Sequence, residues 1–124
     1  HVHRGAFQSV LQSSDLVIGM AGTAVEQAVG LSKPVLQLPG GGPQFTSAFA
    51  EAQRRLLGPT VFCATGAACS AANLDASAEL CMDLLSRSNT DRELQRCCRK
   101  EAQRRLGNQG GGLRMAEAIS SLLP

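Results

Sequence analysis

The residues between Gly19 and Glu26 have the types and spacing of an anion-binding turn. Glycine at positions 19 and 22 lets the backbone approach a ligand closely, because no side chain intervenes. A helix beginning near Thr23 would present unpaired N–H groups to that turn, and its dipole would favour a negative charge there. Glu26 lies one turn into the helix, where a carboxylate can accept hydrogen bonds from ribose hydroxyls. The segment therefore predicts contacts from Gly19, Met20, Gly22, Thr23 and Glu26 to a nucleotide diphosphate.

A second glycine loop follows the next apolar run. Pro39-Gly40-Gly41-Gly42-Pro43 cannot form regular structure, and Gln44 follows it at the predicted start of another helix. Ligands in open α/β sheets bind beyond the carboxyl ends of the strands, so both loops should meet at one crevice. The chain lacks a GxGxxG fingerprint and a Walker lysine, which favours a sugar-diphosphate site over a dinucleotide site.

Each part of this constellation also has a purely structural interpretation. Thr23 and Glu26 have the spacing of a capping box, in which the carboxylate only bonds the start of its own helix. Gly22 is also compatible with an ordinary turn, residues 40–42 with a flexible connection, and Gln44 with a solvated helix start. The joint occurrence of all four within 26 residues favours the ligand-binding interpretation.

The elements that must position these residues alternate between helix and strand. A helix comes first, strands are predicted at 15–19, 35–38 and 60–63, and helices at 23–31, 44–57, 73–88, 90–106 and near the C-terminus. Short connections between strands and helices predict a parallel sheet in an α/β, Rossmann-like fold. Three strands are too few for a complete doubly wound domain, so we expect the first strands to precede residue 1.

Apolar periodicity predicts which helix faces are buried. In the helix at 44–57 the predicted core face comprises Phe45, Ala48, Phe49, Ala52 and Leu56. In the helix at 73–88 it comprises Leu74, Ala78, Cys81 and Leu85. Thr90 and Glu93 form a capping box for the next helix. The hexapeptide Glu51–Leu56 recurs as Glu101–Leu106, which we interpret as convergent helix-surface composition because the flanking sequences differ.

Composition excludes several classes of partner. The net charge is +2 and the chain has no Trp or Tyr, so the basic residues between 92 and 105 indicate a solvated helix face rather than a nucleic-acid site. No apolar run approaches the ~18 residues of a membrane span. Five cysteines without CxxC spacing favour reduced thiols over a disulfide framework or a zinc ribbon. His1 and His3 have no further ligands nearby, so no metal or cofactor is expected.

The glycine-rich segment resembles the donor-binding domain of GT-B glycosyltransferases. The residues that carry the resemblance run from Gly22 to Gly58, GTAVEQAVGLSKPVLQLPGGGPQFTSAFAEAQRRLLG, and are most similar to proteins related to lipid-A-disaccharide synthase, in their cyanobacterial and plastid-lineage branch. The tail from Leu106 to Ile119, LGNQGGGLRMAEAI, resembles the final glycine turn and helix of that branch.

The resemblance implies a role for each matching residue. Gly22 and Thr23 would face the donor diphosphate, Glu26 would hold the ribose, and Gln44 would approach the donor sugar. Such enzymes commonly place the glutamate seven residues before the proline, whereas Glu26 is eight before Pro34 and Gln27 is seven. Both Glu26 and Gln27 therefore remain candidates for the ribose contact, since one residue is ~100° of helix rotation.

The resemblance also implies the function of the whole protein. It implies glycosyl transfer from a UDP-linked sugar to a lipid-linked or amphiphilic acceptor, with the acceptor half and the general base in a missing N-terminal part. A cytoplasmic or plastid-stromal location fits, and peripheral attachment to a membrane stays open. The alternatives are a UDP-sugar 2-epimerase-like enzyme and a non-catalytic interaction module that retains the fold.

Overall fold

The computed structural model describes residues 4–20, 22–38, 40, 42 and 46–123. Residues 1–3 therefore lie outside the described residues, as do 21, 39, 41, 43–45 and 124. The elements, in chain order, are α1 (Phe7–Ser13), β1 (Val17–Gly19), α2 (Thr23–Gly30), β2 (Val35–Gln37), α3 (Ser47–Leu57), β3 (Val61–Cys63), α4 (Ala71–Ser88), α5 (Arg92–Leu106) and α6 (Gly111–Ser120).

The three strands form one parallel sheet in the order β1-β2-β3. Strand side chains alternate between the two faces, so Val35 and Val61 join α2 and α3 in one apolar cluster. Leu36 points to the other face, where it packs with Leu84 and Leu94 of α4 and α5. The fold is therefore mixed α/β with helices on both faces of the sheet, as the alternating elements predict.

Helix α3 buries a different face from the one that periodicity predicts. Its buried residues are Ala50, Gln53 and Leu57, whereas Leu56 of the predicted face is 63% exposed. Ala48 and Ala52 are also exposed, Phe49 is half-buried, and Phe45 lies outside the described residues. The prediction is wrong because a hydrogen-bonded glutamine occupies the inner face, which apolar periodicity does not count.

The buried face of α4 also differs from the face that periodicity predicts. The helix buries Asn73, Ser77, Leu84 and Ser88. Of the predicted face, Cys81 is half-buried and the other three residues are exposed. The Asn73 amide donates to the carbonyls of residues 64 and 65 at 3.3 and 3.1 Å, and the Ser77 hydroxyl donates to the Asn73 carbonyl at 2.7 Å. These bonds satisfy the polar groups, which lets them occupy the inner face.

Helix α5 begins one residue later than its predicted capping box implies. Asp91 is the N-cap, and its carboxylate accepts from the N–H groups of Glu93 and Leu94 at 2.9 and 3.0 Å. The Thr90 hydroxyl instead donates to the Ser86 carbonyl at the end of α4. The predicted cap at Thr90 is therefore wrong, because a carboxylate at the next position caps the helix.

Helix α6 is exposed along its whole length. Its apolar side chains include Leu113, Met115 and Ile119, each more than half exposed. Among the described residues, no helix is both long enough and apolar enough to cross a bilayer.

Candidate functional site

The two glycine loops leave the sheet from one edge. Gly19 and Gln37 are register partners at the ends of β1 and β2, and the Leu38 N–H donates to the Gly19 carbonyl at 3.1 Å. Gly19 is required there by packing, since an added Cβ would lie 2.9 Å from a methyl group of Val25. The prediction that both loops start at the same carboxyl edge is therefore confirmed.

Gly22 is the N-cap of α2 and has a conformation reserved for glycine. Its φ of 82° and ψ of −163° lie in a region that residues with a side chain rarely adopt. Its carbonyl accepts from the N–H groups of Val25 at 3.0 Å and Glu26 at 3.4 Å. The chain therefore turns into α2 at Gly22 and starts the helix from its carbonyl.

The start of α2 has no side-chain cap. Gly22 carries no side chain that could cap it, and among the described residues no acceptor bonds the N–H groups of Thr23 and Ala24. Thr23 is the first helical residue rather than the N-cap, which places Glu26 one position too late for a capping box. The capping-box interpretation of Thr23 and Glu26 is therefore wrong, and the helix start keeps two donors available for an anion.

Glu26 and Gln27 point in different directions from α2. Glu26 is half-buried in the first turn, next to the buried Val25. Gln27 is exposed and lines a groove of about 450 Å3 between α1 and α2, together with Phe7 and Leu31. Gln27 therefore borders α1, and Glu26 is not among the residues that line this groove.

The remaining predicted contacts are only partly described. Met20 follows β1 directly and is 45% exposed. Gly40 is half-buried after β2. Gly41 and Gln44 lie outside the described residues, so their predicted contacts to the donor stay predictions.

Two buried amides lie beneath the turn, and the sequence prediction missed both. Gln37 is fully buried at the end of β2, and Gln53 of α3 is 6% exposed. The Gln37 amide donates to Gln53 Oε1, and Gln53 Nε2 donates to the Gly22 carbonyl at 3.4 Å. Among the described residues, Gln37 Oε1 has no hydrogen-bond partner. The signal in the sequence was a glutamine inside the apolar run Val35-Leu36-Gln37-Leu38, since buried strands rarely contain an amide.

Cys63 ends β3 at the same edge, as the register partner of Gln37. Burial raises the pKa of its thiol, and the nearby Glu51 carboxylate raises it further. The thiol is therefore protonated at neutral pH and is a poor nucleophile, because the thiolate is the reactive form. Among the described groups at this edge, the Thr23 and Ala24 N–H groups are donors that can bind an anion.

Comparisons of this chain with family models, with curated proteins and with solved structures find no match.

Proposed function

We propose that this chain is the donor-binding part of a GT-B glycosyltransferase, related to lipid-A-disaccharide synthase, that transfers a sugar from a UDP-linked donor. The observation that carries the proposal is the start of α2. Gly22 is the N-cap of α2 and has a backbone conformation that favours glycine. Among the described residues, no acceptor bonds the N–H groups of Thr23 and Ala24. An uncapped helix start at the carboxyl edge of a parallel sheet suits a diphosphate.

The fold and the sequence support the same interpretation. A parallel sheet with helices on both faces is the Rossmann-like arrangement of GT-B donor domains. The residues that resemble the donor-binding signature, Gly22 to Gly58, contain the turn and the helix that lie at this edge. The acceptor, lipid-linked or amphiphilic, would bind an N-terminal half outside these residues.

The proposed step is a displacement at the anomeric carbon of the donor sugar. The acceptor hydroxyl oxygen forms the new bond to that carbon, and the bond from the carbon to the diphosphate oxygen breaks. The electron pair of the broken bond leaves on the diphosphate, and the hydroxyl proton passes to a general base that we place in the N-terminal half. The Thr23 and Ala24 N–H groups and the helix dipole stabilise the charge that develops on the diphosphate.

We assign the ribose contact to Glu26 rather than Gln27. Glu26 lies in the first turn of α2, close to the proposed diphosphate site. Gln27 lines the groove between α1 and α2. Of the two candidates, Glu26 is therefore the better placed, even though the family spacing to the proline fits position 27.

A thermal-shift titration of the full-length protein with UDP tests this proposal. UDP should raise the melting temperature, because a ligand that binds only the folded state stabilises it. Glu26→Gln should weaken UDP binding by roughly 1.5–3 kcal/mol, the usual cost of losing a hydrogen bond to a charged group. Gln27→Ala is the matched control on the adjacent position and should leave the shift unchanged.

Two results would overturn the proposal or its assignment. The absence of a shift with millimolar UDP, GDP and their sugar conjugates would exclude a donor site and favour an interaction module. Weaker binding in Gln27→Ala alone would show that Gln27, not Glu26, contacts the ribose. UDP binding accompanied by epimerisation of a UDP-sugar would favour the epimerase-like alternative over glycosyl transfer.

A further inference from the structure

A side chain of α3 reaches across to the first peptide of α2. Gln53 lies in the middle of α3, is 6% exposed, and donates from Nε2 to the Gly22 carbonyl at 3.4 Å. That carbonyl already accepts from the N–H groups of Val25 and Glu26. Gln53 therefore adds a tertiary contact to a carbonyl that the helix itself already uses.

Gln37 sets the direction in which the Gln53 amide points. Gln37 donates from Nε2 to Gln53 Oε1, so the Nε2 side of Gln53 is directed towards Gly22. Both side chains are buried, where an amide without hydrogen bonds is destabilising. The chain of amides thus connects the end of β2, through α3, to the start of α2.

Holding the Gly22 carbonyl also fixes a donor on the opposite side of the same peptide. The peptide unit is planar and trans, so the Gly22 carbonyl and the Thr23 N–H point in opposite directions from one rigid plane. From within the helix that carbonyl accepts the Val25 N–H at 3.0 Å and the Glu26 N–H at 3.4 Å, and Gln53 adds a contact from another element. A contact on the carbonyl therefore restrains the direction of the Thr23 N–H, which is the first unpaired donor of the helix.

We propose that Gln53, oriented by Gln37, is a positioning residue that aims the Thr23 N–H at the donor diphosphate. The inference rests on the proposed donor site and deepens it. Two observations support it: the start of α2 has no side-chain cap among the described residues, and the buried Gln53 contacts both the Gln37 amide and the Gly22 carbonyl. Gln53 does not touch the ligand, and its effect is exerted through the Gly22 peptide.

The chain contains a matched control for this residue. Gln103 occupies the third position of Glu101–Leu106, the same hexapeptide that contains Gln53 in Glu51–Leu56. Gln103 is exposed on α5. Gln53→Met and Gln103→Met therefore make the same chemical change in the same local sequence, and only the first removes the contact with Gly22.

The test compares the affinities of UDP and UMP for the full-length protein and these variants by calorimetry. Gln53→Met should weaken UDP binding about tenfold, the effect of losing one hydrogen bond between the misdirected Thr23 N–H and the diphosphate. We place the Thr23 N–H against the second phosphate of UDP, which UMP lacks, so UMP binding should weaken less. Gln103→Met should match the unmodified protein. Gln37→Met should also weaken UDP binding, but by a smaller factor. If Gln53→Met does not fold, the Gln37 variant tests the inference instead.

The outcomes separate this inference from the proposed function. If the unmodified protein does not bind UDP, the donor site itself is wrong. If it binds UDP and the folded Gln53 or Gln37 variants bind equally well, the positioning role is wrong. An equal loss of UDP and UMP affinity, or an equal loss in Gln103→Met, would assign Gln53 a general structural role and overturn the inference.

Discussion

At the scale of single residues, two glycines share one backbone conformation but lie at opposite ends of their helices. Gly22 has φ 82° and ψ −163° at the start of α2, and Gly107 has φ 77° and ψ −168° at the end of α5. An added Cβ would meet no atom within 4 Å at either position. Any cost of substitution at these positions therefore comes from the backbone and not from crowding.

This pair gives a direct test of the glycine turn. Gly22→Ala and Gly107→Ala should each lower the free energy of unfolding by roughly 1–3 kcal/mol, the cost of holding a side chain in this conformation. Only Gly22→Ala should also abolish the thermal shift produced by UDP, because only Gly22 precedes the proposed anion-binding N–H groups. Chemical denaturation measures the first effect and UDP titration the second, and equal UDP shifts in the two variants would contradict the site.

At the scale of elements, the junction between α4 and α5 depends on one carboxylate. Asp91 caps α5 and accepts from the Arg87 guanidinium at 2.9 Å, while Arg87 also pairs with Asp83 at 2.9 Å. The backbone N–H of Leu94, followed by the Arg87 side chain, lowers the pKa of Asp91. The hydrogen bonds therefore favour the charged form of Asp91 in the folded state.

The lowered pKa predicts how stability depends on pH. A carboxyl group whose pKa is lower in the folded state contributes stability above its unfolded pKa, near 3.8, and loses it as pH falls through the folded value. Asp91→Asn should therefore melt at a lower temperature than the unmodified protein at pH 7, and the difference should shrink as the pH falls below about 4. Calorimetry from pH 7 to pH 3 measures this, and a difference that stays constant with pH would contradict the charged cap.

At the scale of the whole molecule, several large apolar side chains are exposed to solvent. Ile18 is 53% exposed on β1, an outer strand of the sheet, and Leu74 of α4 is 54% exposed beside it. Helix α6 adds Leu113, Met115 and Ile119 on a separate surface. An apolar strand at a sheet edge is a template for pairing with other chains.

These surfaces predict that residues 1–124 alone are marginally stable and self-associate. Even ~300 Å2 of uncovered apolar surface corresponds to ~7 kcal/mol, which is comparable to the net stability of a domain. The chain should show a mass above that of the monomer in size-exclusion chromatography with light scattering. A monomer with a single cooperative unfolding transition would contradict this prediction.

The candidate site was only partly predictable from the sequence. Local patterns predict the glycine turn, the helix that follows it and the shared edge of the two loops. Turn residues act over a few positions, and strand-helix alternation with short connections predicts parallel strands. The Gln37–Gln53 pair was missed because its members are 16 residues apart and become partners only when α3 packs on β2. The buried faces of α3 and α4 were predicted wrongly for the same reason, since satisfied polar groups can occupy a core position.

The repeated hexapeptide separates what the sequence determined from what the tertiary structure decided. The sequence determined the local structure of both copies. In each, the glutamate pairs with the arginine four residues later, at 3.0 and 3.1 Å, and a positive-φ glycine follows the end of the helix. The tertiary structure decided burial: Gln53 is buried and Gln103 exposed, whereas Glu101 is buried and Glu51 only half-buried. Helical spacing and ion pairs are set within one turn, but the buried side of a helix depends on the elements that pack against it.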